Sequence, residues 1–458
     1  MNLWSLAHKR AEEAGPVRVG VIGAGKFGSM FLTQALTSAW LHVVAVADLD
    51  VARGRSALMR TGWPAERYSC RDIAEAVTSG GTAVTDDTGA LLDSDHIEVI
   101  VEATGNPVAG TYHAVRAIDA GHHVVMVNVE GDCLIGPLLA ERARRAGVVY
   151  SLAYGDQPAL ICEMVDWCRT IGFDVVAAGK GTKYLPEYHL STPDTVWDYY
   201  GFSTEQLAAG DFNPKIFNSF LDGTKSAIEM AAVANATGLV PPSAGLNFVP
   251  CGADDLPSVF RPVADGGALE LRGSVEVASS LNRDGSLVAR DLRWGVYVTF
   301  EATTAYAQRC FAEYGLKTDS TGRFGALYRP YHLIGLELGV SIASAAIRRE
   351  PTGAPGGFVG DVMSVTKRAL KSGEILDGEG GYTVYGRLAP AQTSLRNKAL
   401  PIGLAHGCRV VRDLAADVIV SWHDVEVEDI TLAAELRRDL ERAGSSDRDR
   451  AVGSVALP

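Results

Sequence analysis

The sequence lacks any run of about 20 apolar residues, which is the length that a helix needs to cross a bilayer. Residues 1–15 carry several charged side chains and contain no apolar stretch like that of a secretory signal. We therefore expect a cytoplasmic protein that has no membrane partner.

Positive charge is also scarce. The 42 Lys and Arg residues are outnumbered by 55 Asp and Glu residues, which gives a formal net charge of −13. Proteins that bind nucleic acid usually carry a basic surface, so we expect a small-molecule substrate and no nucleic acid. The seven cysteines form no C-x-x-C pair, and no H-E-x-x-H motif is present. These absences exclude the common zinc motifs and favour reduced thiols.

Glycine, by contrast, is abundant, with 49 residues in a chain of 458, above the usual share of about 7%. No collagen-like period accompanies it, so we expect these residues in turns and at close backbone approaches. At about 150 residues per domain, the length predicts roughly three domains.

Apolar, strand-like runs alternate with helical stretches between residues 16 and 153. The first run is Val17–Ile22, and the second ends at Asp48. This alternation predicts the α/β fold class, with a doubly wound parallel sheet of the Rossmann type. We expect residues 16–153 to form a dinucleotide-binding domain.

The regular alternation of strand-like and helical stretches ends near residue 155. The pattern beyond it predicts an α+β catalytic domain over 154–349, with an Ala-rich helix at 226–237 and an antiparallel meander at 268–304. Its last helix, 332–348, could return to the Rossmann domain.

The C-terminal part has its own composition. A Pro/Gly-rich linker at 350–358 precedes short strands and turns, which predict a small β-rich domain over 359–428. Residues 443–458 are polar and rich in small side chains, and we expect them to be mobile.

A G-x-G-x-x-G motif at Gly23, Gly25 and Gly28 follows the first strand and opens a helix. The first glycine allows the tight turn, the second allows close approach of a pyrophosphate, and the third allows helix–strand packing. The helix N-terminus offers N–H groups to the anion. We therefore predict cofactor contacts at these glycines and at Lys26 and Phe27 between them.

Asp48 lies 20 residues after Gly28, at the end of the second strand. A carboxylate there can accept hydrogen bonds from the adenosine ribose, and it favours NAD because it would repel a 2′-phosphate. Arg53 and Arg55 follow and could pair with such a phosphate, so NADP stays open.

Two further strand ends carry polar residues. Thr104 and Gly105 follow one buried strand, and Asn128 and Glu130 follow the next. The carboxyl ends of parallel strands share one edge, so we predict that these residues lie beside the nicotinamide. Helix capping or a turn is the alternative.

Lys180 lies between Gly179 and Gly181 at the end of a predicted strand, and Lys183 follows it. A Gly-flanked loop could present an ammonium group to a phosphate or a carbonyl oxygen. Lysines on a solvated surface turn are the alternative.

Lys225 and Glu229 are four residues apart on the Ala-rich helix, so both could face one cleft. The apolar neighbours favour a buried helix whose charged side chains line a site, whereas a surface ion pair is the alternative. Asn235, on the same helix, is a candidate substrate contact.

The remaining candidates are scattered. Asp156 could cap a helix or approach substrate hydroxyls or a metal. His332 could act as a general acid or base or be structural, and Arg329 precedes it. If isomerisation precedes hydride transfer, a divalent metal would help, and Glu130, Asp156 and Glu163 are the available carboxylates.

Several segments are shared with a known family. They are Pro16–Gly20, Val84–Asp87, Glu102–Gly105, Asn128–Glu130, Tyr150–Leu152, Gly179–Gly181, Met230–Ala232, Asn235–Pro241 and Arg329–Leu333. Through them, residues 16–425 resemble the 1-deoxy-D-xylulose 5-phosphate reductoisomerase-like proteins, which are related to homoserine dehydrogenases. Val365–Leu376 resembles a SAF (β-clip) module.

The resemblance implies an NAD(P)-dependent oxidoreductase acting on a small, phosphorylated keto sugar or polyol, and it leaves a preceding isomerisation open. Lys180 or Lys225 would polarise the carbonyl oxygen, and Glu229 or His332 would handle the proton. Lys183, Arg329 and His332 would hold an anionic substrate group. We also expect a homo-oligomer.

Two departures keep other functions open. Asp48 stands where NADPH-binding members would be expected to carry Arg, and Asn128 precedes Val129, not the Lys expected in a homoserine dehydrogenase. The alternatives are a homoserine dehydrogenase-like amino-acid or sugar dehydrogenase and a non-catalytic NAD-binding sensor.

Overall fold

A computed structural model describes residues 2–209, 212–428 and 430–453. These residues form two compact units, one of residues 2–162 with 332–356 and one of 163–331 with the chain from 357 onward. Within the described ranges, no helix combines the length and apolarity that a bilayer span requires.

The first unit is built on a six-stranded parallel sheet with strand order β3-β2-β1-β4-β5-β6. Its strands are β1 (Val17–Ile22), β2 (Leu41–Ala47), β3 (Ala83–Thr85), β4 (Val99–Glu102), β5 (His123–Met126) and β6 (Tyr150–Leu152). The central strands are almost fully buried, as expected for a sheet covered by helices on both faces. The predicted α/β fold with a Rossmann-type sheet is therefore confirmed.

Helices precede, connect or follow these strands, and several of them begin at a side-chain cap. They are α1 (Leu3–Ala14), α2 (Lys26–Ala35), α3 (Val51–Arg60), α4 (Ile73–Ser79), α5 (Thr88–Leu92), α6 (Pro107–Asp119), α7 (Val129–Ala146) and α8 (Gln157–Thr170). The side chains of Asp50, Asn106 and Asn128 accept hydrogen bonds from the first turns of α3, α6 and α7.

The second unit contains a five-stranded mixed sheet with strand order β11-β10-β7-β9-β8. Its strands are β7 (Asp174–Thr182), β8 (Val249–Pro250), β9 (Ser274–Ser279), β10 (Val296–Glu301) and β11 (Phe324–Arg329). The meander predicted at 268–304 is wrong, because β7 lies between β9 and β10. Strand β7 pairs parallel with β9 and antiparallel with β10.

The helices of this part are α9 (Val196–Tyr200), α10 (Thr204–Ala209), α11 (Pro214–Leu221), α12 (Thr224–Thr237), α13 (Leu256–Val259) and α14 (Ala305–Glu313). Helix α12 contacts β7 and β9 and is buried along most of its length. The predicted Ala-rich helix is thus confirmed, starting two residues earlier than expected.

The chain then enters the first unit again, where the predicted helix over 332–348 is much shorter. Helix α15 covers only Gly339–Ala343 and continues into a π-helical turn at Ser344–Arg348.

The C-terminal part packs on α12 through the antiparallel pair β12 (Gly360–Thr366) and β13 (Val384–Pro390). It continues with α16 (Ala391–Asn397), β14 (Arg409–Val410), β15 (Val425–Glu426) and α17 (Leu432–Gly453). Residues 443–453, expected to be mobile, are part of α17, and 454–458 lie outside the described residues. The SAF-like assignment stays a prediction.

Candidate active site

The glycine motif forms the turn between β1 and α2. Gly23 has a φ of 102°, and a Cβ atom there would lie 2.6 Å from the Ala103 carbonyl oxygen. At Gly28 a Cβ would lie 2.4 Å from the Gly23 carbonyl oxygen. Both positions therefore require glycine for backbone packing.

Gly25 differs, because a Cβ there would meet no atom within 4 Å. Gly25 is the N-cap of α2, which begins at Lys26 and has no side-chain cap among the described residues. The open space and the N–H groups at this helix end fit the pyrophosphate of a dinucleotide. Lys26 and Phe27 form the first helical positions beside this space.

Asp48 follows β2 and contacts the same loop. Its Oδ2 accepts a hydrogen bond from the Ala24 N–H (2.9 Å), and its Oδ1 accepts one from Arg53 Nε (2.8 Å). Burial raises the pKa of Asp48, but the bonds from Arg53 and Ala24 outweigh it, so the pKa lies below its ordinary value. The Asp48 side chain is 1% exposed and that of Arg53 is 57% exposed. Arg55 instead donates to the Tyr68 carbonyl oxygen.

The ends of β4 and β5 meet as predicted for neighbouring parallel strands. Asn128 Nδ2 lies 2.8 Å from the Asn106 carbonyl oxygen and 3.4 Å from Thr104 Oγ1. Asn128 also caps α7 by accepting from the Gly131 N–H, and Glu130 lies in the first turn of that helix. Asn128 is therefore a helix cap, and its predicted contact with the nicotinamide stays a prediction.

Glu102 is a buried carboxylate that the sequence interpretation did not treat as a site residue. Its Oε1 accepts hydrogen bonds from Thr104 Oγ1 (2.6 Å) and lies 3.2 Å from His113 Nδ1. Glu102 therefore fixes the exposed turn at Thr104 and Gly105. A charged residue closing an otherwise apolar strand was the available signal.

Asp156 lies in the turn between β6 and α8, where its Oδ1 accepts from the Gln157 N–H (2.9 Å). A Cβ on the preceding Gly155 would lie 2.8 Å from the Leu333 carbonyl oxygen, next to His332. A Cβ on Gly335 would lie 2.7 Å from the Phe27 carbonyl oxygen. The segment that follows His332 thus joins the Asp156 turn to the start of α2.

In the second unit, Lys180 Nζ donates to Glu229 Oε2. Lys180 is 7% exposed and Glu229 is 4% exposed, so the ion pair is buried between β7 and α12. The predicted loop at Gly179–Gly181 is wrong, because these residues continue strand β7. Both positions require glycine. A Cβ on Gly179 would lie 1.8 Å from the Glu276 carbonyl oxygen, and a Cβ on Gly181 would lie 1.8 Å from the Leu292 carbonyl oxygen.

The other candidates of this unit are placed separately. Lys183 Nζ donates to the Tyr199 carbonyl oxygen, and burial, with the nearby charge of Arg293, lowers its pKa. Lys225 is half-buried at the start of α12, and the half-buried Arg329 ends β11.

Asn235 has a structural position in this unit. Its side-chain oxygen accepts from the N–H groups of Val359 (2.8 Å) and Gly360 (2.9 Å), which fixes the start of β12. It is 1% exposed. The structure therefore assigns it to chain packing, which the sequence interpretation did not foresee.

Metal ligands are not grouped in the described part of the chain, where no three His, Cys, Asp or Glu side chains could hold one ion together. Of the three carboxylates considered for a metal, Glu163 is exposed, and Glu130 and Asp156 are half-buried.

Comparison with known proteins agrees with this arrangement. A family model described as "Oxidoreductase family, NAD-binding Rossmann fold" matches residues 17–126, and one described as "Oxidoreductase DRL, catalytic domain" matches residues 155–338. No curated protein matches the chain.

The solved structures that resemble this chain have low sequence identity to it. A 3-ketoreductase from Actinomadura kijaniata, in complex with NADP and TDP-benzene, is 19% identical over 37% of this chain and 48% of its own, with a TM-score of 0.26. This chain thus spans about half the length of that relative. A "probable dehydrogenase" from Thermotoga maritima is 13% identical over 73% of this chain and 90% of its own, with a TM-score of 0.38.

The matched models and the dinucleotide loop agree on an NAD-binding Rossmann region, which is followed by a region that resembles an oxidoreductase catalytic domain.

Proposed function

We propose that this oxidoreductase transfers hydride between a nicotinamide cofactor and a small, phosphorylated keto sugar or polyol. The observation that carries the proposal is the buried Lys180–Glu229 pair in the matched catalytic domain. Other buried ion pairs of this chain, such as Arg437–Asp361, stabilise the fold, but this pair places an ammonium group, a strong donor to a developing negative charge, within the matched catalytic domain.

Lys180 acts as the proton donor in the reducing direction. When bound, the cofactor supplies the hydride to the carbonyl carbon. The Lys180 ammonium donates a hydrogen bond to the carbonyl oxygen, stabilises the developing negative charge and transfers a proton to it. In the oxidising direction, the neutral amine takes the proton back.

Glu229 positions Lys180 by holding its ammonium group, and its negative charge balances that group within the protein. Lys225 and Arg329 are the proposed partners of the substrate phosphate, and His332 is the proposed second proton carrier. A preceding isomerisation, as in a reductoisomerase, is part of this proposal.

For the cofactor we propose that both NAD and NADP bind and that NADP is preferred. The Asp48 carboxylate, which would otherwise receive the ribose hydroxyls, is held by Arg53 and Ala24. The exposed Arg53 guanidinium can pair with a 2′-phosphate.

The test follows absorbance of the reduced cofactor with a panel of keto-sugar phosphates and polyol phosphates. Lys180→Met is expected to lower kcat by about 10²- to 10⁴-fold, the usual contribution of a general acid. Lys317→Met, which changes an exposed lysine of the same unit, is the matched control.

Because Lys180→Met leaves Glu229 buried and unpaired, its folding must be checked by thermal melting. The double variant Lys180→Met/Glu229→Gln removes both charges and should fold and bind cofactor while staying inactive. The proposal fails if no substrate of the panel turns over with either cofactor. Full activity of a folded Lys180→Met variant would remove Lys180 from the mechanism.

A further inference from the structure

A cavity of about 440 Å³ lies in the second unit, between the N-terminal turn of α12 and the C-terminal strands. Residues from both parts line it, among them Ala227, Phe248, Tyr385, Arg387, Leu388 and Asp417. Lys180 and Glu229 are not among the lining residues. The volume lies within the range of small-molecule sites, about 300–1,000 Å³.

Aromatic rings lie along one side of the cavity, where His189, Phe248 and Tyr385 line it. Phe248 stacks on Tyr184 with ring centroids 3.8 Å apart, and His189 stacks on Tyr385 at 4.5 Å. The Tyr184 hydroxyl and His189 Nε2 are 2.8 Å apart and join the two stacks. His189 Nδ1 lies 2.7 Å from the Asp222 carbonyl oxygen, so both ring nitrogens are engaged within the wall.

The backbone around the cavity is strained. Phe248 has a φ of 50°, in the left-handed region that bulky residues seldom adopt, whereas Asp417, with a φ of 55°, is a residue type that tolerates this region. The buried Glu276 holds Phe248 in place by accepting hydrogen bonds from the N–H groups of Asn247 (3.0 Å) and Phe248 (3.3 Å). Strain of this kind clusters at ligand-binding sites.

Two opposite charges lie at the cavity. Arg387 Nη1 and Asp417 Oδ1 are 3.9 Å apart, too far for a hydrogen bond. Asp417 Oδ1 accepts from the Tyr385 hydroxyl (3.2 Å), whereas the Arg387 guanidinium has no hydrogen bond to any residue that the structure describes. Arg387 is partly covered, with 30% of its side chain exposed.

We propose that this cavity is a second binding site, which takes a free α-amino acid with an apolar or aromatic side chain. Its carboxylate would pair with the Arg387 guanidinium, and its ammonium would pair with Asp417. Its side chain would pack on Phe248, Leu388 and Ala227. A simple anion would be repelled by Asp417 and a simple cation by Arg387, so a zwitterion suits the pair of charges best.

The test uses the full chain and does not depend on turnover. The standard L-amino acids are screened by thermal shift, and the most stabilising one is titrated by calorimetry beside its deaminated and decarboxylated analogues. For phenylalanine these are 3-phenylpropanoate and phenethylamine. Each analogue loses one charged contact, so we expect about 10- to 100-fold weaker binding.

Variants locate the site. Arg387→Gln and Asp417→Asn should each weaken binding about 10- to 100-fold, and Asn tolerates the left-handed backbone at 417. Ala244→Trp should block the cavity from its exposed rim without overpacking the core. Arg409→Gln, an exposed arginine paired with Glu428, is the matched control and should bind normally.

The proposal is overturned if no amino acid binds at millimolar concentration, or if 3-phenylpropanoate or its equivalent binds as tightly as the amino acid. It is also overturned if binding survives both Arg387→Gln and Ala244→Trp in folded protein. Since the readout is binding, absence of redox activity leaves this result unaffected.

Discussion

Asp48 and Arg53 form an ion pair at the end of β2, with 2.5 Å between Arg53 Nη2 and Asp48 Oδ1. The sequence alone presents these residues as competitors, one favouring NAD and the other NADP. In the structure they are partners, and only the arginine is exposed.

This arrangement predicts that Arg53→Ala weakens NADP binding selectively. The loss of a charged hydrogen bond to the 2′-phosphate should raise the KM for NADPH by about 10-fold or more, whereas the KM for NADH should change little. The ratio of kcat/KM values for the two cofactors measures the effect. Arg55→Ala is the control, because Arg55 is held by the Tyr68 carbonyl oxygen. An equal loss with both cofactors would contradict the role of Arg53.

The glycine motif predicts opposite outcomes at two of its positions. Gly25→Ala places a methyl group in open space, so the fold should be retained while cofactor affinity falls because the pyrophosphate loses its close approach. Gly28→Ala forces the backbone to shift, since its Cβ would lie 2.4 Å from the Gly23 carbonyl oxygen. Thermal melting and cofactor titration separate the two. A Gly25→Ala variant with unchanged affinity would show that the cofactor binds elsewhere.

Local patterns made the Rossmann part predictable. The glycine motif, Asp48 and the polar residues at the ends of β4 and β5 follow from strand–helix alternation and motif context. Lys180 illustrates what a local pattern misses. Its flanking glycines suggest a loop, but they are required because neighbouring carbonyl oxygens approach β7 closely.

The sequence also could not predict which distant strands pair or which charged side chains are buried. Nothing in residues 268–304 reveals that β7, about a hundred residues earlier in the chain, separates β9 from β10. Similarly, Glu276 and Arg437 look like ordinary charged residues in the sequence but are fully buried in the structure. Glu276 is held by Asn247 and Arg437 by Asp361, residues of other elements, so composition and periodicity carry no signal for this burial.

The burial of Asp132 predicts that the stability of the first unit depends on pH. It is fully buried in α7, burial raises its pKa to about 7, and the Tyr150 hydroxyl donates to its Oδ1 (2.8 Å). Between pH 4 and 7 the folded state holds a proton that the unfolded state releases. The free energy of unfolding should therefore fall by about 1.4 kcal/mol per pH unit as the pH rises through this range, and level off above it.

Asp132→Asn should remove this slope, because the amide keeps an acceptor for Tyr150 and does not ionise. Hydrogen exchange of the α7 amides at several pH values reports the first unit alone. Asp95→Asn, at an exposed position of the same unit, is the control and should keep the slope. An unchanged slope in Asp132→Asn would assign the pH dependence to another group.

Arg437 predicts how the C-terminal helix is held. Its guanidinium is fully buried, its Nη1 donates to Asp361 Oδ1 of β12 (3.0 Å), and its Cζ lies 5.1 Å from the centroid of the Phe358 ring. Arg437→Met leaves the Asp361 carboxylate buried without its cation, so α17 should be destabilised by about 3–5 kcal/mol. Limited proteolysis and hydrogen exchange of α17 measure the loss.

The double variant Arg437→Met/Asp361→Asn distinguishes an unpaired charge from lost packing. Removing both charges should restore much of the protection of α17, since a buried ion pair contributes little beyond a neutral pair of similar size. Arg442→Met, which changes an exposed arginine of the same helix, should have little effect. If the double variant is no better protected than Arg437→Met, the stabilisation comes from the packing of the arginine on Phe358 and its neighbours.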